Sequence, residues 1–181
     1  SVGCCTLTWV DRNGEEEAID LPPRNYFYSR VSPDGQRLVL QIDTDIWVSD
    51  VNRPVLSRIT TTDVAERFPL WAPDSQRVVF SVNTEGKLQG ALADGTGNIE
   101  TLLELPEPGL VSPGSWIPGE DTLLFTYGSS SVDPTISMLN LNPPNNDVPV
   151  WRPVIDRDAG ASALDVAPEG DWVAYHADDT G

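Results

Sequence analysis

Few residues in this 181-residue chain have the type and spacing to do covalent chemistry. The one histidine, His176, falls near the end of a predicted strand, where an imidazole reads as a surface strand residue rather than a catalytic base. Serines gather in "GSSSVD" (128–133), but the Gly-x-Ser-x-Gly turn that presents a nucleophile is absent, so this stretch reads as a loop between strands. The carboxylate groups "DTD" (43–45), "DRD" (156–158) and "ADD" (177–179) lie on predicted loops. None reproduces a twelve-residue calcium loop, and "DRNGEEE" (11–17), the nearest imitation, reads as a hairpin turn. A carboxylate pair for glycoside hydrolysis depends on spacing in space, which a sequence does not give. Cys4 and Cys5 are adjacent, so they supply neither a disulfide framework nor zinc-ligand spacing. No cofactor is expected.

Charge narrows the partners. The chain carries 28 acidic and 11 basic residues, a net charge of −17. Nucleic acid is excluded as a partner because no basic footprint exists to displace counterions, and anionic membrane surfaces are disfavoured for the same reason. No stretch is apolar enough for membrane insertion. A hydrophobic content of 39%, with 6 Trp, 4 Tyr and 4 Phe, is enough for one packed core. The 16 Pro and 14 Gly are spread along the chain, which fits many short strands and turns.

What must position any site is a repeat. Four segments match: "VSPDGQRLVL" (31–40), "WAPDSQRVVF" (71–80), "WIPGEDTLLF" (116–125) and "VAPEGDWVAY" (166–175). Each reads as a strand, a proline-initiated turn and an antiparallel return strand. Looser hairpins alternate with them at 7–21, 45–59, 88–105 and 136–155. Two hairpins per 40–50 residues make four antiparallel strands, a to d, per unit, which is the period of a β-propeller blade. The expected fold is all-β, with no long helix and a single domain over 1–181. Complete blades are expected at 28–60, 67–105 and 112–155. A c–d half-blade at 6–21 and an a–b half-blade at 162–176 are expected to pair as a fourth, shared blade that closes the ring.

"SRVSPDGQRLVL…DIWVSDV…LSRIT" followed by "ERFPLWAPDSQRVVFSV" resembles the WD-like repeat of TolB-type β-propellers. The resemblance extends over roughly 6–178 and is nearest to the extracytoplasmic propellers that follow the membrane anchor in certain bacterial serine/threonine kinases. It is weaker in the third blade, where "SWIPGED" replaces the Pro-Asp-Gly form. The family implies protein binding and an extracytoplasmic, periplasmic location. Kinase activity is not implied, since no glycine-rich nucleotide loop, "HRD" or "DFG" is present. Such propellers commonly have six blades, so this chain is expected either to close with four or to form an open arc whose free edges promote homodimerisation.

Trp71 and Trp116 are equivalent in strand a, as are Trp9 and Trp47 in strand c, and this equivalence predicts packing between blades. Trp151 and Trp172 fall outside that register and are candidates for exposed contacts. In a propeller the d–a and b–c loops converge on one face around the central opening. These loops gather Arg24, Asp45, Asp63, Glu66, Arg67 and Asp158 as candidate binding residues. The expected function is therefore a non-catalytic module that binds a protein or peptide through that face. The alternatives are a hydrolase or lyase with a carboxylate and Arg site at the channel mouth, or a fragment of a six-bladed propeller with no independent role.

Overall fold

The structure, a computed structural model, describes residues 5–82, 85–129, 134–143, 150–155 and 161–177. Every regular element among them is a strand, and no helix is long and apolar enough to cross a membrane. Three four-stranded antiparallel blades follow in chain order. The first is β3 (Tyr26–Val31), β4 (Arg37–Ile42), β5 (Asp45–Asp50) and β6 (Ser57–Arg58). The second is β7 (Glu66–Trp71), β8 (Arg77–Val82), β9 (Lys87–Leu92) and β10 (Glu100–Glu104). The third is β11 (Leu110–Trp116), β12 (Thr122–Gly128), β13 (Thr135–Asn140) and β14 (Val150–Ile155). Two hairpins flank them: β1 (Thr8–Val10) with β2 (Glu16–Ala18), and β15 (Ala161–Val166) with β16 (Val173–Ala177).

Burial explains the order of strands within a blade. The b strands are the apolar runs, with Leu38–Leu40, Val78–Phe80 and Leu123–Phe125 almost inaccessible to solvent, because each is covered on both faces by a neighbouring blade or a terminal hairpin segment. The a–b turns that the Pro-Asp motif predicts are present. Asp74 accepts hydrogen bonds from the backbone N–H groups of Gln76 and Arg77, and Asp34 from that of Gln36. The turn then ties to the c–d side of its own blade, through Val51 N–H to the Gln36 carbonyl and Ala93 N–H to the Gln76 carbonyl.

Seams between blades are apolar. One cluster joins Val39, Ile46 and Val48 of the first blade to Trp71, Val78 and Phe80 of the second. Another joins Val79, Leu88 and Leu103 of the second to Val111, Leu123 and Phe125 of the third. Trp71 is buried as expected, while Trp9, Trp47 and Trp116 are partly buried against these clusters; Trp172 is 78% exposed.

The shared closing blade is not formed. The terminal hairpins are two separate two-stranded sheets, so the expected pairing of 6–21 with 162–176 is absent. The cause is where each packs. Ile19 and Leu21 lie against Leu38, Leu40 and Ile42 of the first blade, whereas Ala161 and Leu164 lie against Leu124 and Ile136 of the third. Two half-blades held on opposite flanks of a three-blade stack leave the blades as an arc.

Candidate functional site

The inner, a-type strands share an irregularity. Strand pairing skips between Phe27 and Arg30, between Arg67 and Leu70, and between Ser162 and Asp165. At each bulge the residue five before the turn proline is left-handed: Tyr28 (φ 46°), Phe68 (φ 55°) and Ala163 (φ 50°). Bulky side chains rarely adopt this conformation, which costs about 1–2 kcal/mol per residue. The third blade has its own bulge at Gly114, where an added Cβ would collide with the Leu164 side chain. Bulges re-aim side chains, and here Tyr28 and Phe68 meet edge to face across neighbouring blades, 4.8 Å between ring centroids.

These strands line a cavity of about 650 Å³. Tyr28, Phe68, Leu110 and Leu164 give it apolar walls; Ser112, Thr126, Ser129 and Ser162 add hydroxyls, and Arg30 is the one charged lining residue among those described. Tyr28 is 52% exposed and Leu110 47%, so apolar surface here faces solvent. Sequence reasoning did not reach this cavity. The register signal was present, since Tyr28 and Phe68 stand at the same offset from their prolines, but aromatic residues on a strand ordinarily read as core.

Of the six residues singled out in the loops, the five that are described do not line that cavity. Glu66 is fully buried, and its carboxylate accepts hydrogen bonds from Thr60 Oγ1 (3.0 Å) and Thr62 Oγ1. Thr60 Oγ1 accepts the Ile46 N–H at 2.9 Å, and Glu66 N–H donates to the Thr44 carbonyl, so this side chain knits the d–a loop to the preceding b–c turn. Asp45 is held by Arg58 at 2.7 Å. Arg24 stacks over the Trp47 ring, 5.6 Å from its centroid. Asp63 and Arg67 are exposed, and Asp158 lies outside the described residues.

Burial pushes the Glu66 carboxyl above the usual 4.5, aided by the Asp45 charge, and outweighs the two threonine hydrogen bonds that pull it down. A carboxyl raised in the folded state stabilises fully below the unfolded value and loses that contribution as pH climbs through the folded one. Stability of Glu66→Gln relative to the parent is therefore expected to rise with pH above about 4.5, as read by urea unfolding between acid and neutral pH. A difference independent of pH would show that Glu66 does not titrate this way. Asp34 and Asp94 move oppositely, lowered chiefly by the Ser32 hydroxyl and the Thr96 N–H respectively, and work in the reverse sense as pH falls.

Ser162 Oγ is 3.4 Å from His176 Nδ1, a cross-strand pair of β15 and β16. That separation exceeds the roughly 2.6–3.2 Å of a base poised on a nucleophile. Among the described residues no group of three or more His, Cys, Asp or Glu could hold a metal ion.

No family model matches the chain, and no curated protein sequence does. Solved structures do. A TolB-type protein of Agrobacterium tumefaciens superposes with a TM-score of 0.77 at 15% identity, covering 96% of this chain and 61% of that one. TolB from Acinetobacter baumannii gives 0.74 at 13% identity, covering 97% and 44%. A nidogen/laminin complex gives 0.70 at 12% identity, covering 93% and 64%. The chain spans less than two thirds of each of these neighbours, and the shared feature is the fold: a TolB-like β-propeller.

Proposed function

We propose that this propeller arc is a non-catalytic binding module that takes an extended peptide segment of a protein partner along its inner strands. The observation that carries this is the cavity of about 650 Å³ with two left-handed aromatics on its wall. Strain of this kind concentrates at functional sites, and the volume lies in the range of ligand pockets. The fitting segment presents an apolar side chain to Tyr28, Phe68 and Leu110, and a carboxylate to Arg30, the only charge among the described lining residues. Of the loop residues, Arg24, Asp63, Arg67 and Asp158 belong to this proposal as rim contacts. Asp45 and Glu66 instead hold the loops in place. An extracytoplasmic, periplasmic setting is part of the same reading and rests on the resemblance to TolB-type and kinase-linked propellers.

The test is selection from a displayed peptide library, followed by affinities for single variants. Selected peptides are expected to combine apolar and acidic residues. Phe68→Ala is expected to weaken them by about tenfold or more, and Arg30→Ala to remove the acidic preference. Peptides that bind both variants as well as the parent would overturn the site. An empty selection would overturn the function.

A further inference from the structure

The repeat places one pair of residues identically at two successive seams, and the two seams differ. Arg37 stands four residues after its turn proline, and Trp71 stands two before the next. In the seam between the first and second blades the Arg37 guanidinium covers the Trp71 ring, 5.1 Å from its centroid, and donates to the Ser75 carbonyl. Trp71 Nε1 donates to the Arg30 carbonyl at 3.1 Å. That seam is closed.

Arg77 and Trp116 hold the same two positions between the second and third blades. There Arg77 turns back to Asp74, with Nε 3.0 Å from Oδ2, and Trp116 Nε1 is buried without a hydrogen-bond partner among the described residues. The two turns differ in backbone: Ser75, whose carbonyl anchors Arg37, is left-handed at φ 58°, whereas in the third blade it is Gly119, one position earlier, that is left-handed at φ 77°. Beside Trp116 there is a cavity of about 90 Å³, whose lining includes Arg77, Glu100 and Leu102. A second cleft, of about 420 Å³, shares Arg77, Glu100 and Leu102 with it and adds Glu104 and Trp151.

The charges of this cleft select its occupant. Asp74 offsets Arg77, and Lys87 offsets Glu104 at 3.5 Å. Glu100 is exposed and has no ion pair of 4 Å or less among the described residues. A tryptophan lacking its cation, beside a free carboxylate in a chain of net charge −17, suits a positive guest. We propose that this seam binds a small organic ammonium cation, seated against Trp116 as the Arg37 guanidinium is seated on Trp71, with Glu100 as its counter-charge. The reading is independent of the peptide site, which lies on the inner strands.

Titration calorimetry with choline, with its neutral isostere 3,3-dimethylbutan-1-ol and with N-acetyl-lysine amide tests this on the full chain. Choline is expected to bind, with the neutral isostere about tenfold or more weaker. Glu100→Gln and Trp116→Leu are each expected to weaken choline by a similar factor. Asp74→Asn is expected to weaken it as well, because the released Arg77 then covers Trp116 itself. Trp172→Leu, far out on the surface, should change nothing. Binding of the lysine compound alone would support the site and assign it to a lysine of a protein partner. Equal binding of choline and its isostere, no binding of either cation, or indifference to Glu100→Gln and Asp74→Asn would overturn it. Those last two are surface substitutions, so the test stands even if Trp116→Leu fails to fold.

Discussion

Phe80→Ala is expected to destabilise the protein by about 3–5 kcal/mol, the usual cost of emptying a large buried aromatic site. Phe80 sits mid-strand in β8 with no solvent exposure, and its cluster is built from both sides of a seam: Val39, Ile46 and Val48 from the first blade, Trp71 and Val78 from the second. Neighbouring strands cannot collapse into the void, because Val79 and Ser81 on either side of Phe80 are each ladder-paired to both β7 and β9. The loss should reach both blades, since one side chain contributes to both. Urea unfolding monitored by fluorescence measures the cost. Hydrogen exchange would show protection falling in β4 and β5 as well as β8. A cost under about 1 kcal/mol, or exchange confined to the second blade, would mean the seam is not one packed unit.

Gly86→Ala is the second large effect, expected at about 2–4 kcal/mol. Gly86 is left-handed at φ +68°, and a Cβ there would stand 2.6 Å from the Glu107 carbonyl oxygen. That obstacle is backbone, so no side chain can swing aside. The close approach exists because the turn is clamped to the next d–a loop, with Gly86 N–H donating to the Gly109 carbonyl and Leu105 N–H to the Gly86 carbonyl. Relief requires opening those two bonds, which should loosen 105–109 and shift Tyr127, whose hydroxyl donates to the Glu107 carbonyl. Thermal unfolding and exchange at Leu105 measure this. A variant as stable as the parent would show that the loops are not clamped in solution.

The repeat made most of this architecture readable. Proline-to-proline spacing located the blades, because Asp34 and Asp74 close their turns by local hydrogen bonds that leave a strong sequence mark. The alternation of b and c strands followed, since it is written in which residues must be buried. Ring closure was misjudged for a physical reason. Complementary half-blades at 6–21 and 162–176 state that two edges could pair, but pairing depends on the angle accumulated across successive seams, which no local pattern records. The loop residues failed differently. Glu66 reads as a surface carboxylate in "TTDVAER", yet Thr60 and Thr62 supply the hydroxyls that let it be buried. The cavity was hidden because Tyr28 and Phe68 depend on a backbone kink for their direction.

Ser75 stands at φ 58° in the turn position that Gly35 and Gly170 occupy elsewhere, and its hydroxyl accepts the Asp34 N–H while its carbonyl takes Arg37. Its strained conformation is thus repaid only when the preceding blade is already in place. All strand pairs join neighbours in sequence, so a chain leaving the ribosome can complete one blade before the next emerges. The second turn then sets like a latch on a finished part, giving assembly a direction from the N-terminus onward.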